Sequence, residues 1–304
     1  MNWKETEISN FEVRYFFLGI LPTLIVLVSL IIFGVEIFRY KNNLLVVALL
    51  MFSMPHFLLS IDNFKKNYKK EFVFKKIKTL YFLISLLVWG LLHVYLDNQY
   101  SILPLLILFF YQSYHYALQS YGIFRYFEGK RIYKNLFLLL GFFFFISLTA
   151  LSIKEAMIID ESTFKWIEKI HLGIVSVLFV TTIFWGLLCG ELKVKKDSLK
   201  LCTICIWFVW VAFSLNMSFL LFLPILHSLQ YLPFFQKKMA ADGSSKHGLL
   251  RNHLVINLVA LFAGGVFLNL TVSSGIQKFL LGSVIVINLV HIYIDSIQWK
   301  INAK

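Results

Sequence analysis

Ten apolar runs, each 15 to 22 residues long, decide what this chain can fold into. They are Phe17–Phe38, Leu44–Ser60, Thr79–Leu96, Ser101–Gly122, Leu136–Ile153, Ile170–Cys189, Leu201–Leu215, Phe219–Phe235, Leu254–Leu270 and Phe279–Trp299. A helix that crosses a hydrocarbon core of ~30 Å needs about 20 apolar residues. The runs leave too little chain between them for a soluble domain. They predict an all-α, polytopic transmembrane helix bundle over residues 1–304, one integral membrane domain. Only Asn216, Met217 and Ser218 part the seventh run from the eighth, so a tight hairpin or one broken helix is expected there.

Composition agrees with this. Residues from the set AVILMFWYC make up 59% of the chain and charged residues 15%. Soluble domains average ~45–50% apolar and ~25% charged. Glu5, Glu7 and Glu12 precede the first run, whereas a secretory leader begins short and basic, so the first span is expected to be retained. The three cysteines, Cys189, Cys202 and Cys205, read as small apolar residues of membrane helices, the Cys202–Cys205 pair included.

The formal net charge is +13. With the N-terminus placed in the cytoplasm, 23 of the 29 Lys and Arg fall in inner segments, seven of them between Lys65 and Lys78. The outer segments hold only Arg39, Lys41, Lys154, Lys165, Lys169 and Lys278. This is the positive-inside pattern. It places both termini in the cytoplasm and the chain in the cell's inner (plasma) membrane. The basic surplus then faces lipid headgroups and calls for no nucleic-acid partner.

Ionisable groups inside spans are expensive and mark function or pairing. His56, His115, His227 and His291 lie in even-numbered spans, four to eight residues before the inner end of each. At 1.5 Å rise per residue, all four sit about 6–12 Å below the inner boundary. Gln119 follows His115 by four residues, Gln230 follows His227 by three, and Asp295 follows His291 by four. Those spacings put each pair on one helix face. Imidazole is the commonest neutral ligand of transition metals, and its second nitrogen usually donates to an amide or carboxylate. The four histidines are therefore expected to share a metal, with Gln119, Gln230 and Asp295 orienting them. Tyr114, with Tyr111, Tyr116 and Tyr121, is expected to wall an apolar cavity. His93 and His171 are read as outer interfacial residues, His171 opening the sixth span.

Phosphate-binding and dinucleotide loops, the G-x-S-x-G elbow, H-E-x-x-H and C-x-x-C-H are absent from the sequence. The H-x-x-x-H and H-x-x-H-H boxes of membrane desaturases are absent too. The segment Met54-Pro55-His56, with Asp62 downstream, resembles the Pro-His…Asp element of the Brp/Blh family of membrane β-carotene dioxygenases. Met54, Phe57 and Asn63 stand where that family carries Gly, Gly and His. The resemblance implies an all-helical membrane fold, iron held by histidines from several spans, and cleavage of a carotenoid. Only His56 is matched by motif.

The leading expectation is a His-ligated, non-haem iron enzyme that oxidises or cleaves a lipid-soluble substrate entering from the bilayer. Three readings stay open beside it: a haem-binding electron-transfer protein, a proton-coupled transporter, and a metal-free lipid-modifying transferase.

Overall fold

The computed structural model describes residues 11–33, 102–127, 129–155, 158–192 and 198–241. The second, third, ninth and tenth expected spans lie outside the described residues, as do His56, His291 and Asp295. All regular structure among the described residues is helical. Helix α1 covers 11–33, with a π-helical turn at Phe16–Ile20 and an α-helical stretch at Leu21–Phe33. Next come α2 (Ile102–Tyr126), a 3₁₀ turn (Arg131–Tyr133), α3 (Lys134–Glu155), α4 (Glu161–Leu188), α5 (Ser198–Ala212) and α6 (Met217–Ala241). Three segments among the described residues are long and apolar enough to cross a membrane: Phe11–Ser29, Arg131–Lys154 and Glu161–Leu188.

The helix ends depart from expectation in ways that have physical causes. Helix α4 begins at Glu161, nine residues before the expected Ile170. Lys165 and Lys169, expected in an outer segment between spans, lie inside the helix. Its 28 residues measure about 42 Å, so a charged first turn extends the helix past the apolar slab. Helix α4 ends at a left-handed turn with Gly190 at φ 65°, a conformation that favours glycine. Helix α5 has 15 residues, about 22 Å, which is short of a bilayer core. Thr203, Ile204, Ile206, Trp207, Phe208, Trp210 and Val211 are buried on it, so α5, which covers most of the expected run Leu201–Leu215, is an apolar helix packed on most of its sides.

Between α5 and α6 the chain turns over Phe213–Leu215. Asn216 then caps α6: its Oδ1 accepts from the Phe219 backbone N–H at 3.1 Å. The narrow gap is therefore a capped turn between two helices.

The π turn of α1 also has a local cause. Leu21 donates its backbone N–H to the Phe16 carbonyl, five residues back. Pro22 follows directly, with no N–H to give and a ring that crowds the carbonyl of the preceding turn. A widened turn just before Pro22 relieves that crowding.

The chain divides into two compact units. In the first, the described residues are 11–33, 123–127, 129–131, 161–192 and 198–241. Here α6 lies along α1 at Gly19, where an added Cβ would come 3.4 Å from the Gln230 Cα. Helix α5 meets α1 through Trp210 Nε1, which donates to Thr23 Oγ1 at 3.4 Å. It meets α4 through Phe208 and Phe179, with ring centroids 5.2 Å apart.

In the second unit the described residues are 102–122, 132–155 and 158–160. Helices α2 and α3 cross at Gly141, where a Cβ would stand 2.8 Å from Ala117 Cβ. Phe144 lies edge-on to Tyr116 and Phe145 to Phe110.

Much of the apolar surface stays uncovered. On α4, Val177, Val180, Phe184 and Trp185 are 62–65% exposed. A face this large and apolar is what a lipid-facing helix presents.

Candidate functional site

Polar side chains buried in these apolar helices define the candidate site. On α6, His227 and Gln230 are both buried, one turn apart on one face. On α2, His115 and Gln119 are both buried, again one turn apart. Each of these pairs was expected from spacing. His115 belongs to the second compact unit and His227 to the first. Among the described residues, no group of three or more His, Cys, Asp or Glu side chains gathers to hold a metal.

The tyrosines of α2 divide. Tyr116 is buried, its ring centroid 5.8 Å from that of His115, and its hydroxyl accepts from Gln112 Nε2 at 2.9 Å. Phe110, Tyr111 and Tyr114 form the exposed stripe of the helix, with Tyr114 at 44%. Of the four tyrosines expected to wall a cavity, Tyr116 is thus buried while Tyr111 and Tyr114 are exposed.

Two polar contacts were not foreseen. The first joins three helices of the first unit. Tyr15 is fully buried, and its hydroxyl lies 3.1 Å from Thr203 Oγ1 on α5. Gln230 Nε2 donates to the same hydroxyl at 3.4 Å. The second is His171, whose ring nitrogen Nε2 lies 2.8 Å from the Val211 carbonyl oxygen. His171 was expected at the mouth of its span. It sits ten residues into α4, buried against α5. The pattern Phe164, His171, Val175, at i, i+7 and i+11, carried the buried face once the helix start was right. Tyr15 lies before the first expected apolar run and 188 residues from Thr203, so no local pattern marked it.

Side-chain chemistry at the α1–α5–α6 junction is neutral: a phenol, a hydroxyl and an amide. It can orient and recognise by hydrogen bonding. The imidazoles of His115 and His227 are the described groups suited to ligate a metal.

No family model matches the chain, and no curated protein or solved structure matches it either.

Proposed function

We propose that the chain is a multi-pass protein of the inner (plasma) membrane, one integral domain of about ten membrane segments with both termini cytoplasmic. In this reading His56, His115, His227 and His291 hold iron. The protein oxidises or cleaves a lipid-soluble substrate, a carotenoid being one concrete version. Iron supplies the chemistry with O2. The protein's own residues hold and orient: Gln119 and Asp295 steady the imidazoles through their second nitrogens, and Gln230, whose amide donates to Tyr15, fixes the α6 face one turn from His227. Tyr116 closes the apolar wall beside His115, and Tyr114 lies on the outer stripe of that helix.

One observation carries the reading. Two of the three histidines within the described residues, His115 and His227, are buried in apolar helices with a buried glutamine one turn on. Burying such groups in lipid-embedded helices is costly unless they are used.

The test is metal analysis of detergent-purified protein, wild type beside His115→Ala and His227→Ala. Stoichiometric iron in the wild type, lost in both variants, is the expected result. Wild-type protein without stoichiometric metal, or variants that keep it, overturns the proposal. A Soret band in the visible spectrum replaces it with the haem reading.

A further inference from the structure

A hydrogen-bond chain of fixed direction runs through the α1–α5–α6 junction. Thr203 Oγ1 donates to the Leu199 carbonyl oxygen at 2.8 Å. A hydroxyl has one proton to give, and the Thr203 proton is committed at this shorter contact. Across the 3.1 Å contact, the Tyr15 hydroxyl is then the donor and Thr203 the acceptor. The Tyr15 oxygen is left as an acceptor, so the end of the Gln230 amide that faces it must be the donating Nε2. The amide orientation is set by the chain. Its other end, Oε1, is left over.

That oxygen is fully buried and has no hydrogen-bond partner among the described residues. A buried acceptor left unmet is costly, and native folds rarely keep one. The chain behind it raises the cost further, because hydrogen bonds in series polarise one another and make the terminal oxygen a stronger acceptor. Aromatic rings pack around the Tyr15 phenol to which the amide is bound: Phe127 lies 5.2 Å and Phe234 5.7 Å from it, centroid to centroid. None of the three side chains carries charge, so a cationic N–H donor would find no counter-charge among them. A neutral hydroxyl fits.

We propose that Gln230 Oε1 is the recognition point for the hydroxyl head of an apolar alcohol, held in place by Tyr15 and Thr203. The ligand donates its O–H to Oε1 while its chain lies among aromatic rings. An aldehyde or ketone of the same length sets oxygen against oxygen and is refused, and a hydrocarbon leaves the acceptor unmet. Sites built around one buried hydrogen bond discriminate strongly against analogues that lack it. Tyr15 and Thr203 are positioning residues: they act on the ligand only through the Gln230 amide. The inference names a substrate or ligand class for the protein and needs no metal, so it stands or falls separately from the iron proposal.

Trp207 and Trp210 are fully buried on the Thr203 face of α5, at i+4 and i+7, and report on this junction. The experiment uses the full chain in lipid nanodiscs and three brominated probes of equal length: an 11-carbon alcohol, the methyl ketone and the hydrocarbon. The readout is quenching of tryptophan emission. The hydrocarbon measures the background from the other five tryptophans, of which Trp166 and Trp185 are exposed. The expected result is saturable quenching by the alcohol at a concentration at least about tenfold below that of either control. Tyr15→Phe should weaken the alcohol's advantage several-fold, and Gln230→Leu should remove it. Unchanged emission wavelength in each variant shows that Trp207 and Trp210 remain buried. Equal quenching by all three probes overturns the proposal and leaves Oε1 to a structural water. A preference for the ketone overturns it too, because the chain would then run in the opposite direction.

Discussion

The Nε2 of His171 lies 2.8 Å from the carbonyl oxygen of Val211 and thereby ties α4 to the end of α5. Val211 is in the last turn of α5, where carbonyls have no partner within the helix. The same oxygen accepts from Ser214 Oγ at 2.6 Å and from the Ser214 backbone N–H at 3.2 Å. A carbonyl acceptor requires that His171 carry its proton on Nε2. The contact is therefore a helix cap delivered from a neighbouring helix.

Replacing His171 with Leu keeps an apolar side chain at a buried site and deletes this bond. Val211 keeps its two Ser214 donors, so no acceptor is orphaned. The expected loss is about 0.5–1.5 kcal/mol, the range for one side-chain hydrogen bond between membrane helices. Thermal unfolding in detergent should show a lowered Tm for His171→Leu and an equal or larger drop for His171→Ala, which also leaves a cavity. A Tm for His171→Leu equal to wild type would mean that the bond contributes nothing.

Tyr15→Phe isolates the hydroxyl at the other junction, since the ring and its aromatic neighbours are kept. Two contacts go at once, to Thr203 and to Gln230. The expected cost is about 1–3 kcal/mol, because Gln230 Nε2 is left buried without its acceptor. Thr203→Val also breaks two contacts, to Leu199 and to Tyr15, and leaves the buried Tyr15 O–H without its acceptor, so it should cost a similar amount. The two changes share one hydrogen bond, so the double variant should lose less than the sum of the singles. Strict additivity in chemical unfolding would show that the chain is not coupled.

Two glycines in helices should respond oppositely to alanine. At Gly141 a Cβ would stand 2.8 Å from Ala117 Cβ and 3.2 Å from the Ser113 carbonyl oxygen. The second neighbour is backbone and cannot rotate away, so α2 and α3 must part. Gly141→Ala should cost about 1–3 kcal/mol. Gly173 lies on the exposed side of α4 with nothing within 4 Å of a Cβ. Gly173→Ala should be neutral or gain up to about 1 kcal/mol from helix propensity alone. Unfolding midpoints measured side by side decide this, and a neutral Gly141→Ala would contradict the close crossing.

Particular residues show what the sequence made legible. Helical class followed from run length, because an apolar run of 15 or more residues in a hydrocarbon slab must satisfy its backbone hydrogen bonds within itself. The buried His–Gln pairs followed from i, i+3 and i, i+4 spacing, which is local. Helix ends were less legible: Lys165, Glu168 and Lys169 look like loop by charge, yet they extend α4 beyond its apolar part. That misplacement hid His171. The Tyr15–Thr203–Gln230 chain was hidden for a different reason. Its members are common residues separated by 188 and 27 positions, and only tertiary packing joins them.

Native Cys189 offers a direct test of orientation. With the N-terminus inside, α4 runs from the outer face to the cytoplasm, and Cys189 follows its last residue, exposed. Cys202 and Cys205 lie half-buried on α5 and can be replaced by Ser and Ala to leave one thiol. A membrane-impermeant maleimide should then label Cys189 in inverted membrane vesicles and leave it unlabelled in intact cells. The Lys193, Lys195, Lys196 and Lys200 segment follows directly and belongs to the same side by the positive-inside pattern. Labelling in intact cells would turn that basic segment outward. It would also move the Lys65–Lys78 cluster to the outer face, against the charge bias that set the orientation.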